Sequence, residues 1–311
     1  MQVKDRIGRR LKLHDLHVLI AVVKTGSMSR AAAMLNTTQP NVSRSVAELE
    51  AIVGVRLFDR TRGGVVPTQY GRALVNGGEA AFDELRQAIA NIEFLANPMV
   101  GKVSFGYIAT CAPFVSATIA RLASAYPRIV FDVVVGETLP LHARLIEREL
   151  DLVIARKWRQ FSEDEFDFTP LYDDIYAVVA SAESPWGRRR RLSLAERVDE
   201  PWVLPPPEGS VLGSLAQSAF KAAGVEFPRA AVIALPHELR MELVATGRFL
   251  TILSTSMLKF SVRRPALKVL PVPLAETRAP NGIVTLKRRT MSPVARLFIE
   301  RALEGATARS T

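Results

Sequence analysis

The feature that most limits the fold of this chain is a change of hydrophobic period near residue 98. Before it, apolar residues recur at helical spacing; after it, short apolar runs alternate with helical ones. Leu13, Leu16, Ile20 and Val23 fall at i, i+3, i+7 and i+10, which predicts one helix, ended by Gly26. Ser27 or Ser29 can cap a short second helix over 31–35, and Asn36-Thr37 makes a turn. Thr38 is placed to cap a third helix, with Pro40 tolerated in its first turn because the missing N–H has no partner there in any case. Val42, Val46, Leu49 and Val53 form the buried stripe of that helix, and Gly54 closes it. Two helices joined by a tight turn behind a supporting helix make a helix-turn-helix.

The run 55–61, the turn Arg62-Gly63-Gly64 and then Val65-Val66 predict two short strands around a basic glycine turn, a β-wing. Pro67-Thr68 opens a long helix to about Leu95. Leu74, Ala81, Leu85, Ala88, Ile92 and Leu95 give it an imperfect heptad stripe, weakened in the middle by Gly77-Gly78, and Asn97-Pro98 stops it. A long helix with such a stripe is expected to pair with a second copy of itself.

From Lys102 the pattern is a βαβαβ series, with strands at 102–108, 129–135 and 151–155 and helices at 113–125 and 139–150, which implies a parallel sheet. After Leu171-Tyr172 a second series begins. Its strands are 175–180, 202–204, 231–235 and 249–253, and its helices are 211–223 and 237–246. A last strand, 283–286, and a helix, 293–303, follow. Two βα-rich halves predict two lobes with a cleft between them. The expected fold is α/β overall, in three parts: a winged helix-turn-helix over 1–67, a linker helix over 68–98, and a two-lobed α/β domain over 99–311. Lobe I covers about 99–173 and 272–311, and lobe II about 174–271. Arg188–Arg191 and Pro205–Pro207 read as loops.

Composition narrows the function. The 311 residues are 48% hydrophobic and 23% charged, which excludes a disordered tail, a collagen and a simple coiled coil. The net charge is +10, and residues 1–78 hold most of the excess, with 12 Lys/Arg against 5 Asp/Glu. Concentrated positive charge on a helix-turn-helix points to a polyanionic partner, double-stranded DNA first. Cys111 is the one cysteine, so neither an intrachain disulfide nor a Cys-rich metal or iron–sulfur site can form. The 4 histidines show no ligand spacing. Without a GxSxG, a P-loop or a GxGxxG, the expectation is no metal, no cofactor and no enzymatic activity. No apolar run nears the ~20 residues that span a bilayer, and the stretch 16–23 is too short and too poorly flanked for a leader. A cytoplasmic protein with no membrane partner is expected.

The stretch 27–44 (SMSRAAAMLNTTQPNVSR), with Leu49-Glu50, Gly54-Val55-Arg56-Leu57-Phe58-Asp59-Arg60 and Pro67-Thr68-Gln69-Tyr70-Gly71, resembles the DNA-binding domain of LysR-type transcriptional regulators. The likeness is dense over about residues 11–75. Ala125-Tyr126-Pro127, the run 151–156 and Leu243-Val244-Ala245-Thr246-Gly247 look, more loosely, like the family's sensor domain. The resemblance implies a periplasmic-binding-protein-like effector domain, a small-molecule effector and assembly into tetramers.

On the third helix, Gln39, Pro40 and Ser43 look like the base-facing set of that family, and Arg44 more like a phosphate contact. On spacing alone these residues could equally form a solvated face. Ser27, Ser29, Arg30 and Thr38 lie near helix starts, where they can meet phosphate, cap the helix, or both. Arg60 and Arg62 flank the wing turn and can enter the minor groove or hold phosphate.

In the α/β region Thr110, Cys111 and Ala112 follow the first strand, Thr138 the second and Arg156 the third, all at one sheet edge where ligands of open α/β sheets bind. Pro205, His237 and Ser254 follow strands of the other half and can complete the cleft. Singly, each has an ordinary alternative: a helix cap for His237, a buried small residue for Cys111, and for Arg156 a salt bridge to an acid such as Glu137. Together they predict an effector site, and Arg156 with two threonines and a helix N-terminus favours an anion. The alternative function is a cytoplasmic two-lobed small-molecule-binding protein or enzyme with an accessory DNA-binding module.

Overall fold

The computed structural model describes residues 11–61, 63–157, 161–188, 193–197, 199–208, 210–260, 266–272, 274 and 277–307. Its contacts divide the chain into two compact units, Met1–Ile89 and Ala90–Thr311.

The first unit holds α1 (Leu13–Thr25), α2 (Met28–Met34), α3 (Gln39–Val53), β1 (Phe58–Thr61), β2 (Gly64–Pro67) and most of α4 (Gln69–Ala96). Gly26 and Gly54 end α1 and α3 in the left-handed conformation, φ 65 and 78°. Ser27 caps α2, its hydroxyl accepting from the Arg30 N–H at 3.4 Å. Thr38 occupies the N-cap of α3 but makes no side-chain bond there. Leu19, Val22, Ala31, Val42, Leu49 and Leu57 are buried in one core.

The wing is tied to the helices at two points. Glu50 Oε1 accepts the Leu57 N–H at 2.7 Å, which turns residues 55–57 out of the first strand and shortens it to Phe58–Thr61. The Val65 N–H donates to the Gly26 carbonyl at 3.1 Å. Gly64 makes that approach possible: with φ at 137°, a Cβ there would lie 2.3 Å from the Gly26 oxygen. Gly77-Gly78 does not interrupt α4. Gly78 is buried against Leu16 and Ile20, so packing on α1 offsets the poor helix propensity.

The second unit runs through β3 (Val100–Tyr107), α5 (Ala112–Ala125), β4 (Arg128–Val135), α6 (Thr138–Ile146), β5 (Leu152–Arg156) and β6 (Phe166–Asp174). It then enters a second lobe of β7 (Tyr176–Ser181), β8 (Val203–Leu204), α7 (Val211–Ala222), β9 (Val232–Ile233), α8 (His237–Ala245), β10 (Thr251–Ser254), α9 (Thr255–Phe260) and β11 (Leu267–Val269). It returns through β12 (Ala279–Leu286) and α10 (Pro293–Thr307). The first lobe is a five-stranded sheet of order β4-β3-β5-β12-β6.

The βαβαβ series forms the parallel set that its pattern implies, and the complete sheet is mixed because two later strands join it. β3 is parallel to β4 and β5, whereas β12 is antiparallel to both β5 and β6. The cause is the connectivity: the chain leaves this lobe along β6 and comes back along β12, so the returning strand runs against its neighbours. Phe105 and Phe298, with ring centroids 4.5 Å apart, pack α10 on the sheet. In the second lobe β10-β7-β11 are antiparallel and β8-β9 parallel. A Trp202–Leu250 bridge joins the two sets. Trp202 is buried edge-on to Phe220 at 5.3 Å. Of the expected basic loop, Arg188 ends a short 3-10 turn, and Arg189, Arg190 and Arg191 lie outside the described residues.

Candidate functional site

Two surfaces of the chain can do chemistry. The first is the outer face of α3. Burying Val42, Val46 and Leu49 leaves Gln39, Pro40 and Arg44 exposed and Ser43 half-buried. Ser29, Arg30, Thr38 and Arg60 are exposed too, and Ser27 is half-buried at its cap. Among the described residues none of Arg30, Arg44 and Arg60 is held in an ion pair, so their charge is available to an external anion. Arg62 lies outside the described residues.

The second is a cavity of about 710 Å³ within the second unit. Its floor is the carboxyl edge of the first lobe's sheet: Thr110 after β3, Thr138 after β4 and Arg156 at the end of β5. The other wall is α7 and the start of α8, with His237. The structure therefore brings together four of the eight residues expected here: Thr110, Thr138, Arg156 and His237.

The other four are not in the lining. A 3-10 turn over Ala109–Cys111 leaves Thr110 on the cavity and turns Cys111 into the core of the first lobe. Burial pushes its thiol up to about 12, so it is neither exposed nor ionised at neutral pH. Ala112 begins α5 beside it. Pro205 is buried after β8. Ser254 is buried as well, and its hydroxyl is committed to Asp174 Oδ2 at 2.5 Å. Position after a strand places these residues near the sheet edge, and the turn that follows each strand decides which side chain faces the cavity.

Arg156 is buried and pairs with Asp174, not with Glu137. Its Nη1 stands 3.8 Å from Asp174 Oδ2, its Nη2 donates to the Thr277 carbonyl, and its guanidinium lies 4.9 Å from the Tyr176 ring centroid. Asp174 is the centre of a wider cluster. Its Oδ1 accepts from the N–H of Ile175 at 2.9 Å and of Ser256 at 3.1 Å. Its Oδ2 accepts from the Ser256 hydroxyl at 3.1 Å and Asn281 Nδ2 at 3.2 Å.

Two residues of the site were not anticipated. Asp174 is one, and the signal for it in the sequence is an acid placed directly before the apolar strand 175–180. Arg240 is the other, and the signal for it is its i+3 spacing from His237, which puts both on one face of α8. Arg240 lines the cavity, is 1% exposed, and donates from Nη1 to the Ile252 carbonyl at 3.0 Å. Burial lowers its pKa to about 10, which keeps it protonated at neutral pH. His237 follows the N-cap Pro236, so it is not itself the cap. Burial lowers its pKa, and its Nε2 lies 3.3 Å from Glu238 Oε1. Among the described residues no group of three or more His, Cys, Asp and Glu could hold a metal, and no helix is long and apolar enough to cross a membrane.

Comparison with known proteins agrees with this layout. Residues 13–72 match the profile "Bacterial regulatory helix-turn-helix protein, lysR family". Residues 96–307 match "LysR substrate binding domain". The chain is 28% identical over 289 residues to the HTH-type transcriptional regulator GbpR of Azospirillum brasilense, covering 92% of this chain and 84% of that protein. It is 26% identical over 282 residues to PcaQ of Agrobacterium fabrum, an HTH-type transcriptional regulator, covering 89% of each. The structure of a full-length OxyR variant from Pseudomonas aeruginosa superposes with a TM-score of 0.66 at 21% identity over 95% of this chain and 94% of that one, a likeness of fold.

Proposed function

The chain belongs to the LysR family of bacterial transcriptional regulators, and on that premise we propose how its residues share the work. It is a DNA-binding regulator with an effector-binding α/β domain. The reading helix is α3. Gln39, Pro40 and Ser43 meet base edges in the major groove, while Ser27, Ser29, Arg30, Thr38, Arg44 and Arg60 hold phosphates or the minor groove. The effector is a small anion that lies in the cavity against Thr110, Thr138, Arg156 and His237. A ligand touching both lobes favours one inter-lobe arrangement over others, and that shift changes how subunits present their reading helices. The chain acts in the cytoplasm as a regulator and not as a catalyst.

Assembly begins at α4. Leu85, Ile92 and Leu95 are 45, 66 and 81% exposed along this helix, which supports pairing with the same helix of a second copy and, through a further contact, a tetramer.

The observation that carries the reading is the outer face of α3, where short polar residues at the helix start and the exposed Arg30, Arg44 and Arg60, in no ion pair among the described residues, meet the needs of a major-groove reader. A mobility-shift titration on DNA adjoining the protein's own gene tests it. Retardation at clearly lower protein concentration than on random DNA of equal length is expected, and equal affinity for the two overturns the reading.

A further inference from the structure

The cavity carries more information than the presence of a ligand site. Four cations line it, Arg156, Lys157, Arg240 and Arg278, against one carboxylate, Glu137. Two of the cations are occupied near the rim. Lys157 pairs with Glu163 at 3.1 Å and lies over the rings of Phe161 and Phe168, and Arg278 lies 3.9 Å from Asp173. The two buried ones differ. Arg156 shares Asp174 with six other donors, the Thr255 hydroxyl at 3.1 Å among them, and its Nη1 has no hydrogen-bond partner among the described residues. Arg240 is in no ion pair among the described residues, and its Nε has no hydrogen-bond partner there. A buried guanidinium without an ion pair among the described residues is an expensive arrangement for a fold to keep unless something anionic completes it.

The opposite wall is mostly apolar, with Ser214 and Ser218 as its polar members on α7. Val211, Leu215, Ser218 and Ala222 recur at i, i+4, i+7 and i+11 along α7 and all line the cavity. Leu212 and Leu215 pack on the core of the second lobe with part of their surface and face the cavity with the rest. Leu235 and Ile108 extend the same surface. A sugar acid or an inorganic anion would leave the apolar part of this wall uncovered, and a neutral apolar ligand would leave Arg156 Nη1 and Arg240 Nε without a hydrogen-bond partner among the described residues.

We propose that the cavity takes a carboxylate carried on an apolar aromatic or aliphatic body, with the carboxylate held by Arg156 of the first lobe and Arg240 of the second, and the body lying along α7. The proposal rests on the effector reading above and specifies its ligand class. Tyr176 lines the same cavity: its ring lies under Arg156, and burial pushes its hydroxyl up to about 12, so it stays protonated at neutral pH. Because the anchors sit on different lobes, one carboxylate bridges them, and its binding depends on both.

The test uses the full-length protein and five probes: benzoate and hexanoate, their two neutral amides, and gluconate as a polar carboxylate. Binding is followed by thermal shift and titration calorimetry on the wild type, Arg240→Met, Arg240→Lys and Ser218→Trp, the last filling the cavity. Benzoate and hexanoate are expected to bind, with the amides and gluconate at least about 10-fold weaker. Arg240→Met should weaken the two carboxylates by about 10–100-fold with its unliganded melting temperature unchanged or raised, since a buried charge is removed. Arg240→Lys should recover part of the loss, which separates charge from a folding defect.

Equal binding of acids and amides, abolished in Ser218→Trp, overturns the ligand class and leaves the cavity as the effector site. Gluconate binding as tightly as benzoate overturns the apolar body. Carboxylate binding unchanged in Ser218→Trp places the ligand elsewhere and overturns both this proposal and the effector reading of the cavity. No binding of either carboxylate to the wild type overturns the proposal.

Discussion

Arg156 Nη1 lies 3.8 Å from Asp174 Oδ2 at the junction where the chain first passes from one lobe to the other. The arginine closes β5 of the first lobe and faces the cavity. The aspartate ends β6 and gathers hydrogen bonds from Ser254 and Ser256 of the second lobe and from Asn281 of the returning strand β12. One buried carboxylate thus ties a ligand-facing cation to both lobes.

Asp174→Ala should therefore destabilise the α/β domain strongly, by about 3–5 kcal/mol, because it leaves Arg156 buried without its counter-charge and several donors without an acceptor. Urea denaturation of the variant against wild type checks this. A loss under about 1 kcal/mol would mean that water replaces the carboxylate and that the junction is looser than its hydrogen bonds imply.

Arg156→Ala should remove the response to effector and leave operator binding by the unliganded protein nearly intact. The measurement is a mobility shift with and without ligand. An unchanged response midpoint would show that Arg156 does not touch the ligand.

Gln39→Ala or Ser43→Ala should weaken binding to the operator more than to random DNA, by ~1–3 kcal/mol where one good base contact is lost. Competition titrations on the two DNAs give the difference directly. Equal losses on both would assign these residues to backbone contact instead.

Leu85→Asp should disrupt dimers and, with them, operator binding, because it sets a charge on the exposed stripe that continues through Ile92 and Leu95. Sedimentation velocity is the readout. A variant that stays fully dimeric would remove α4 from the interface.

Acid should weaken the fold through two buried imidazoles. Burial lowers the pKa of His142, which packs against the rings of Phe161 and Phe166, and of His237. The unfolded chain then binds more protons than the native one below the ordinary histidine value of 6.5. Stability is complete above that value and falls as pH drops from it towards the lowered native values. Urea midpoints at about pH 7.5 and 5.5 measure the fall. Replacing His142 with Leu should flatten part of it, and an unchanged slope would show that His142 titrates normally in the native state.

Local rules made the first unit legible. The stripe Val42, Val46 and Leu49, the left-handed glycines 26 and 54, and the cap at Ser27 each act within a few residues, so the helix-turn-helix and its outward face could be read from the chain alone. The alternation of strands and helices after Lys102 likewise reported two α/β lobes, and the strand ends pointed to Thr110, Thr138, Arg156 and His237. Distant contacts decided the rest. β6 was hidden because Pro170 and the acids Asp167, Asp173 and Asp174 spoil its alternation, while its register is set by β12, with Phe166 opposite Leu286. The same pairing makes the sheet mixed. Gly77-Gly78 weakens the helical stripe, and the helix runs through it because Leu16 and Ile20 pack on Gly78. Cys111 and Ser254 follow strands as ligand residues do, yet one turns into the core and the other binds Asp174. Arg240 had no apolar period to mark it. Its place on the cavity comes from where α8 docks, and docking depends on side chains far apart in the chain, which no local pattern records.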